Sequence, residues 1–147
     1  MIYLDTSALI KRFVEEKGSS LVQSMVASGE AVATAKIAYA EVFSGPTRKM
    51  REGNLAKVQY DLACRQFETD WQAYIRVELN DDVLFLARDI IRRHGLKGFD
   101  AVHLASAVSL KDAIDEEVTF AAADRRLLRA AAAEGLRAVN VETQQIS

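Results

Sequence analysis

The chain has 147 residues, half of them apolar and about a quarter charged, with a formal net charge of −2. That length suits one domain burying about 70% of its unfolded surface. The charge balance gives no general attraction to nucleic acid, so any anion-binding surface must be local. No apolar run approaches the roughly 18 residues of a membrane span, and no basic region precedes a long apolar core as in a signal peptide. Cys64 stands alone, which excludes an intrachain disulfide and fits a cytoplasmic protein. With one cysteine and two histidines, a zinc site of the usual ligands is not expected.

Ile2 to Leu4 form an apolar run too short for a helix and ending on Asp5. This predicts a short buried strand with a carboxylate at its carboxyl end and Thr6 or Ser7 as the next helix cap. Apolar residues at 9, 10, 13 and 14 predict a short helix over Ala8 to Glu16, broken by Gly18, and Ser19-Ser20 caps a second helix through Ala27. Beyond Gly29, Ala31 to Thr34 reads as a second strand. Thr34 then caps a helix from Ala35 that carries Glu41 among Ile37, Ala38, Val42 and Phe43. Gly45-Pro46 interrupts or kinks that helix, or Pro46 opens a fresh turn running to Gly53.

Leu55 to Trp71 is a long amphipathic helix and Ala73 to Val77 a third strand. Asp81-Asp82 start a helix that runs to His94 and stops at Gly95 and Gly98. Phe99 to Leu110 is apolar nearly all round and predicts a buried helix, with Asp100 in its first turn. Val118 to Ala122 is a fourth strand, Asp124 precedes a helix over Arg125 to Glu134, and Ala138 to Val141 is a fifth strand. Short strands alternating with helices predict a parallel sheet with right-handed crossovers, an α/β layered domain over residues 1–147.

Four acids sit where a solvated face would not place them. Asp5 and Asp124 follow strands and share one edge of a parallel sheet, the edge where such sheets bind ligands. Asp100 opens a helix with almost no polar face, and Glu41 interrupts an apolar stripe. Each alone has a bland explanation: the dipole favours acids near helix starts, and Glu41 can be solvated. Together they fit one chemistry. Carboxylates crowded side by side raise one another's pKa unless a cation intervenes, and a hard divalent ion with oxygen ligands, Mg²⁺ or Mn²⁺, resolves the conflict. Such an ion activates water and stabilises charge on phosphoryl oxygens.

Four segments carry a resemblance to PIN-domain ribonucleases: Tyr3-Leu-Asp-Thr-Ser-Ala-Leu9, Ala40-Glu-Val42, Gly98-Phe-Asp-Ala-Val-His-Leu-Ala-Ser-Ala107 and Ala123-Asp-Arg-Arg-Leu-Leu128. Their order and spacing, with Gly135-Leu-Arg-Ala-Val-Asn140, resemble the VapC toxins of VapBC toxin–antitoxin modules over nearly the whole chain. The resemblance implies a three-layer domain around a five-stranded parallel sheet in the order 3-2-1-4-5. It also implies Mg²⁺-dependent cleavage of RNA, homodimerisation and inhibition by a cognate antitoxin. Asp5 and Asp100 would be the principal metal ligands, and Glu41 and Asp124 would complete the acidic site directly or through water. Thr6 or Ser7 would orient Asp5 by a hydrogen bond. Gly45-Pro46 departs from the uninterrupted helix that the family pattern implies.

His103 follows Asp100 by three residues and shares its side of the helix; the reading made here is a hydrogen-bonded core residue outside the catalytic set. Arg92, Arg93 and Lys97, with Arg125, Arg126 and Arg129, are candidates for phosphate contact, against the commoner role of a solvated face. Two alternatives differ in class. A PIN-like RNA-binding or RNA-processing protein outside a toxin–antitoxin module would share the fold. An aspartate-based phosphatase would need a second acid two residues after Asp5, where Ser7 stands.

Overall fold

The computed structural model describes residues 1–144 and residue 146. The strands β1 (Ile2–Leu4), β2 (Val32–Ala35), β3 (Ile75–Val77), β4 (Thr119–Ala122) and β5 (Arg137–Asn140) are all parallel and lie in the order β3-β2-β1-β4-β5. The expected α/β class and strand order are borne out. The helices among the described residues are α1 (Thr6–Ile10), α2 (Ser19–Ala27), α3 (Ala38–Arg51), α4 (Lys57–Trp71), α5 (Asp81–His94), α6 (Gly98–Ile114) and α7 (Arg125–Ala133).

The two-residue period of a strand decides the layers. Tyr3, Ala33, Phe120 and Ala138 point to a face covered by α5, α6 and α7. Ile2, Leu4, Val32 and Ala121 point the other way, into a core closed by α1, α2, α3 and α4. Both faces of the central strands are therefore buried, as a parallel sheet requires. On the first face Tyr3 stacks on Phe120 at 5.4 Å between centroids. On the second, Phe13, Tyr39, Phe43, Phe67 and Trp71 form an aromatic cluster, which makes Trp71 a core residue.

Three local expectations change. Asp5 itself, not Thr6 or Ser7, caps α1, accepting from Ala8 N. Thr34 is the penultimate residue of β2, and its hydroxyl donates to Leu4 O at 2.8 Å instead of capping a helix. Pro46 lies inside a continuous α3. Mid-helix proline costs about 3 kcal/mol in isolation; here tertiary packing offsets it. Pro46 is buried with Val42 in an apolar cleft shared with Phe13, Ala63 and Phe67. A Cβ on Gly45 would meet Ile10 Cδ1 at 3.4 Å, so α3 lies close on α1. Glu41 stands in the first turn of α3, upstream of the proline.

The chain after β5 is fastened to the loop ahead of α2. Lys11 is only 4% exposed and its Nζ donates to Glu16 at 2.9 Å and Glu142 at 3.0 Å. Gly18 has φ +94°, and a Cβ there would lie 2.7 Å from Val141 O. Gly29 has φ +87° but open space around it. Gly29→Ala should therefore cost only the left-handed strain, about 1–2 kcal/mol, whereas Gly18→Ala should cost roughly 1–3 kcal/mol more because a backbone carbonyl must move. Urea denaturation of the two variants checks this; equal losses would mean the loop yields freely.

Candidate functional site

Because every strand is parallel, their carboxyl ends share one edge, and the loops there carry the acids. Asp5 leaves β1, the middle strand, and its N–H donates to Ala121 O of β4 at 3.1 Å. Its side chain is 4% exposed. Oδ1 accepts from Ser7 Oγ at 2.7 Å and Ala8 N at 2.9 Å. Ser7 Oγ in turn accepts from Ala123 N at 3.1 Å, which ties the end of β1 to the residue before Asp124. Asp124 caps α7 through Oδ1, which accepts from Leu127 N at 3.0 Å. Asp100 occupies the first turn of α6, half-buried.

Glu41 is held differently. Its Oε1 accepts from Thr6 Oγ1 at 2.7 Å and from His103 Nε2 at 2.8 Å. His103 is buried, and its Nδ1 lies 2.8 Å from the hydroxyl of Tyr3, itself fully buried on β1. The i, i+3 spacing from Asp100 to His103 was visible in the sequence, but the partners on β1 and α3 were not. Tyr3 gave no signal beyond core periodicity; of the two residues expected to orient Asp5, Ser7 bonds it and Thr6 donates to Glu41 instead.

Repulsion links Asp100 to each of the other three acids. Burial raises the pKa of Asp5, offset in part by His103, Ser7 and Ala8 N, while Asp100 pushes it further up. Asp100 is raised by burial and by repulsion from Asp124 and Glu41, against attraction to His103 and Lys97. Glu41 goes the other way: burial would raise it, but the donors His103 and Thr6 outweigh burial and lower it.

One oxygen each of Asp5, Glu41 and Asp124 is fixed by a protein donor, and the other oxygen accepts no hydrogen bond from the described residues. Among the described residues no fully buried side-chain polar atom is left without a partner, so Asp5 Oδ2 meets solvent. Among the same residues no three His, Cys, Asp or Glu side chains converge into a ready-made metal cage. The donor set nonetheless suits a hard cation. Mg²⁺ is usually held by one or two carboxylates, with water and substrate phosphate completing its shell, and closed protein cages are uncommon for it.

The basic candidates separate. Arg93 and His94 pair with Glu134, and Arg126 donates to Gly95 O at 3.1 Å, joining α7 to the end of α5. Arg125 and Arg129 are exposed on α7 beside Asp124. Lys97 precedes α6 as its N-cap residue, close enough to lower the pKa of Asp100.

The family model for the PIN domain matches residues 2–133, nearly all of the strands and helices just described. This chain belongs to the PIN-domain family. Two relatives from Mycobacterium tuberculosis, Ribonuclease VapC45 (strain CDC 1551 / Oshkosh) and Ribonuclease VapC49 (strain ATCC 25618 / H37Rv), are each 36% identical to it over 137 residues, 93% of either chain. Among solved structures, FitAB bound to the IR36 DNA fragment superposes with a TM-score of 0.69 at 19% identity, covering 96% of this chain and 95% of that one. The FitAcB structure from Neisseria gonorrhoeae gives 0.66 at 18% identity, covering 96% and 98%. At these identities the structures bear on the PIN fold alone. No helix among the described residues is long and apolar enough to cross a membrane.

The charge distribution of this PIN domain makes a signed prediction. Asp100 has a raised folded pKa, so its contribution to stability is present below the unfolded value near 4 and is lost as pH rises through the folded value. Glu41 has a lowered one, so its contribution is present above the unfolded value and is lost as pH falls through the folded value. In metal-free buffer at pH 7, Asp100→Asn should hold or raise the melting temperature and Glu41→Gln should lower it. Thermal melts of both variants in chelator check the pair; the reverse order would mean the acids do not repel one another.

Proposed function

We infer that this PIN domain is a divalent-metal-dependent endoribonuclease and the toxin of a toxin–antitoxin pair, with residues 1–147 acting as one nuclease unit in the cytoplasm. The observation that carries the inference is Asp100 coupled by charge to three other carboxylates at the carboxyl edge of the sheet, with the nearly buried Asp5 among them. Like charges grouped this way raise one another's pKa, an opposition that a cation relieves, and a hard cation beside open carboxylate oxygens suits phosphodiester cleavage. The relatives named as VapC ribonucleases support RNA as the substrate. Structures similar in fold are named as a toxin–antitoxin complex from Klebsiella pneumoniae and as VapBC2 from Rickettsia felis, which supports an antitoxin partner. We take the protein to be a homodimer, as the family resemblance implies.

In this proposal Asp5 and Asp100 hold Mg²⁺, or Mn²⁺ in its place, with Glu41 and Asp124 completing the site directly or through water. When bound, the ion supplies an activated water and neutralises charge on the phosphoryl oxygens. Ser7 O–H and Ala8 N–H fix Asp5 by Oδ1. Leu127 N–H does the same for Asp124, so the acids are aimed before substrate arrives. An aspartyl phosphatase is less well supported: Ser7, at the position where that chemistry wants an acid, donates to Asp5.

Asp5→Asn or Asp100→Asn should lower RNA cleavage by about 100-fold or more while the fold persists. Chelation should do the same, with Mg²⁺ or Mn²⁺ restoring activity. A gel assay on purified protein decides, and full cleavage in excess chelator would sink the metal. Arg125→Ala and Arg129→Ala should each flatten the salt dependence of RNA binding, by about 0.7 in log–log slope per lost phosphate contact. Arg126→Ala should change it less, since its guanidinium already serves Gly95 O. Unchanged slopes for Arg125 and Arg129 would return both to a solvated face.

A further inference from the structure

His103 touches three segments of the acid edge at once. Its ring rides on α6 one turn after Asp100 and is 2% exposed. Nδ1 lies 2.8 Å from Tyr3 Oη on β1. Nε2 lies 2.8 Å from Glu41 Oε1 on α3 and 3.0 Å from Thr6 Oγ1 at the start of α1. The partner of Nε2 fixes its proton. An ionised carboxylate offers only acceptors, so Nε2 carries the N–H toward Glu41. Nδ1 meets the Tyr3 hydroxyl, which fixes the plane of the ring.

A histidine serving the core alone would be as well satisfied by a backbone carbonyl. This one directs its Nε2–H to a half-exposed carboxylate whose other oxygen is unengaged among the described residues. Glu41 has three side-chain torsions, and ordering such a chain costs about 1–2 kcal/mol of rotamer freedom. Two donors on one oxygen, both from short rigid side chains, supply that restraint. The geometry points to His103 as a positioning residue of the nuclease site: its Nε2–H holds Glu41 by one oxygen and leaves the other free for the metal or its waters. This rests on the proposed nuclease function and deepens it.

The test uses Mn²⁺ alone as the probe, titrated into the full chain beside thermal melts and single-turnover RNA cleavage. Gln at position 103 carries its amide nitrogen near the place of Nε2, whereas Asn carries it only near the place of Nδ1, beside Tyr3. His103→Gln should keep Mn²⁺ affinity within about threefold of the unaltered protein, and His103→Asn should weaken it about tenfold or more. Cleavage should follow the same order. Equal affinity in both variants, or losses that follow melting temperature instead of the Gln/Asn difference, would overturn the assignment.

Should the Asn variant fail to fold, the unaltered protein gives a second readout. Nitrogen-15 NMR of the imidazoles, simple in a chain with two histidines, should find His103 protonated on Nε2. A bare Nε2 overturns it. Glu41→Gln separates the two claims. If it alone is impaired and His103→Asn is not, the positioning role fails and the nuclease stands; if Glu41→Gln binds Mn²⁺ and cleaves normally, Glu41 leaves the nuclease site and the positioning role falls with it.

Discussion

A carboxylate that is 4% exposed has to be held by donors, and Asp5 is held at one oxygen by a hydroxyl and an amide from the very next turn. The rest of the edge depends on that arrangement. Burial and the neighbouring Asp100 both disfavour its charge, while His103, Ser7 and Ala8 favour it. A cation beside Asp5 would relieve that opposition. Asp5 caps α1, and that role is compatible with the proposed metal role: capping occupies Oδ1 and leaves Oδ2 at the solvent.

The sheet supplies the shared edge. β1 is central, so the residue after it faces the loops from β2 on one side and β4 on the other. Ser7 ties that adjacency down by hydrogen-bonding both Asp5 and Ala123 N, so the ends of β1 and β4 cannot separate without breaking those bonds. Thr34 does similar work between β2 and Leu4 O. His103 joins the third participant, α6, to β1 and α3. Ser7 and Ala8 N–H thus hold Asp5, Thr6 and His103 hold Glu41, and Leu127 N–H holds Asp124, through hydrogen bonds that low-dielectric surroundings strengthen. Removing any one leaves a partner unsatisfied, which is why such residues cost more than their single hydrogen bond suggests.

Much of this was legible in the residues. Apolar runs of three to five ending on an acid gave β1 and β4, and helix punctuation by Gly18, Gly95 and Gly135 gave the alternation that fixes a parallel sheet. The placement of Asp5 and Asp124 at one edge follows from parallelism alone. Pro46 misled because propensity is local, whereas the continuity of α3 comes from packing on α1 and α4. Thr34 misled because a β-branched hydroxyl at a strand end has two uses, and the neighbouring strand took it. His103 was correctly read as a hydrogen-bonded core residue, but its partners lie 62 and 100 residues away in sequence, a distance that no periodicity spans. The buried Lys11, paired with Glu16 and Glu142, was invisible for the same reason.

The central claim is that these carboxylates form one divalent-ion site. Anomalous diffraction from crystals of the protein soaked in Mn²⁺ at neutral pH tests it most directly. The account predicts a manganese peak about 2 Å from oxygens of both Asp5 and Asp100, with Glu41 or Asp124 bound to the ion or to its waters. A peak confined to other residues, or none beside Asp5 and Asp100 at saturating Mn²⁺, would contradict it.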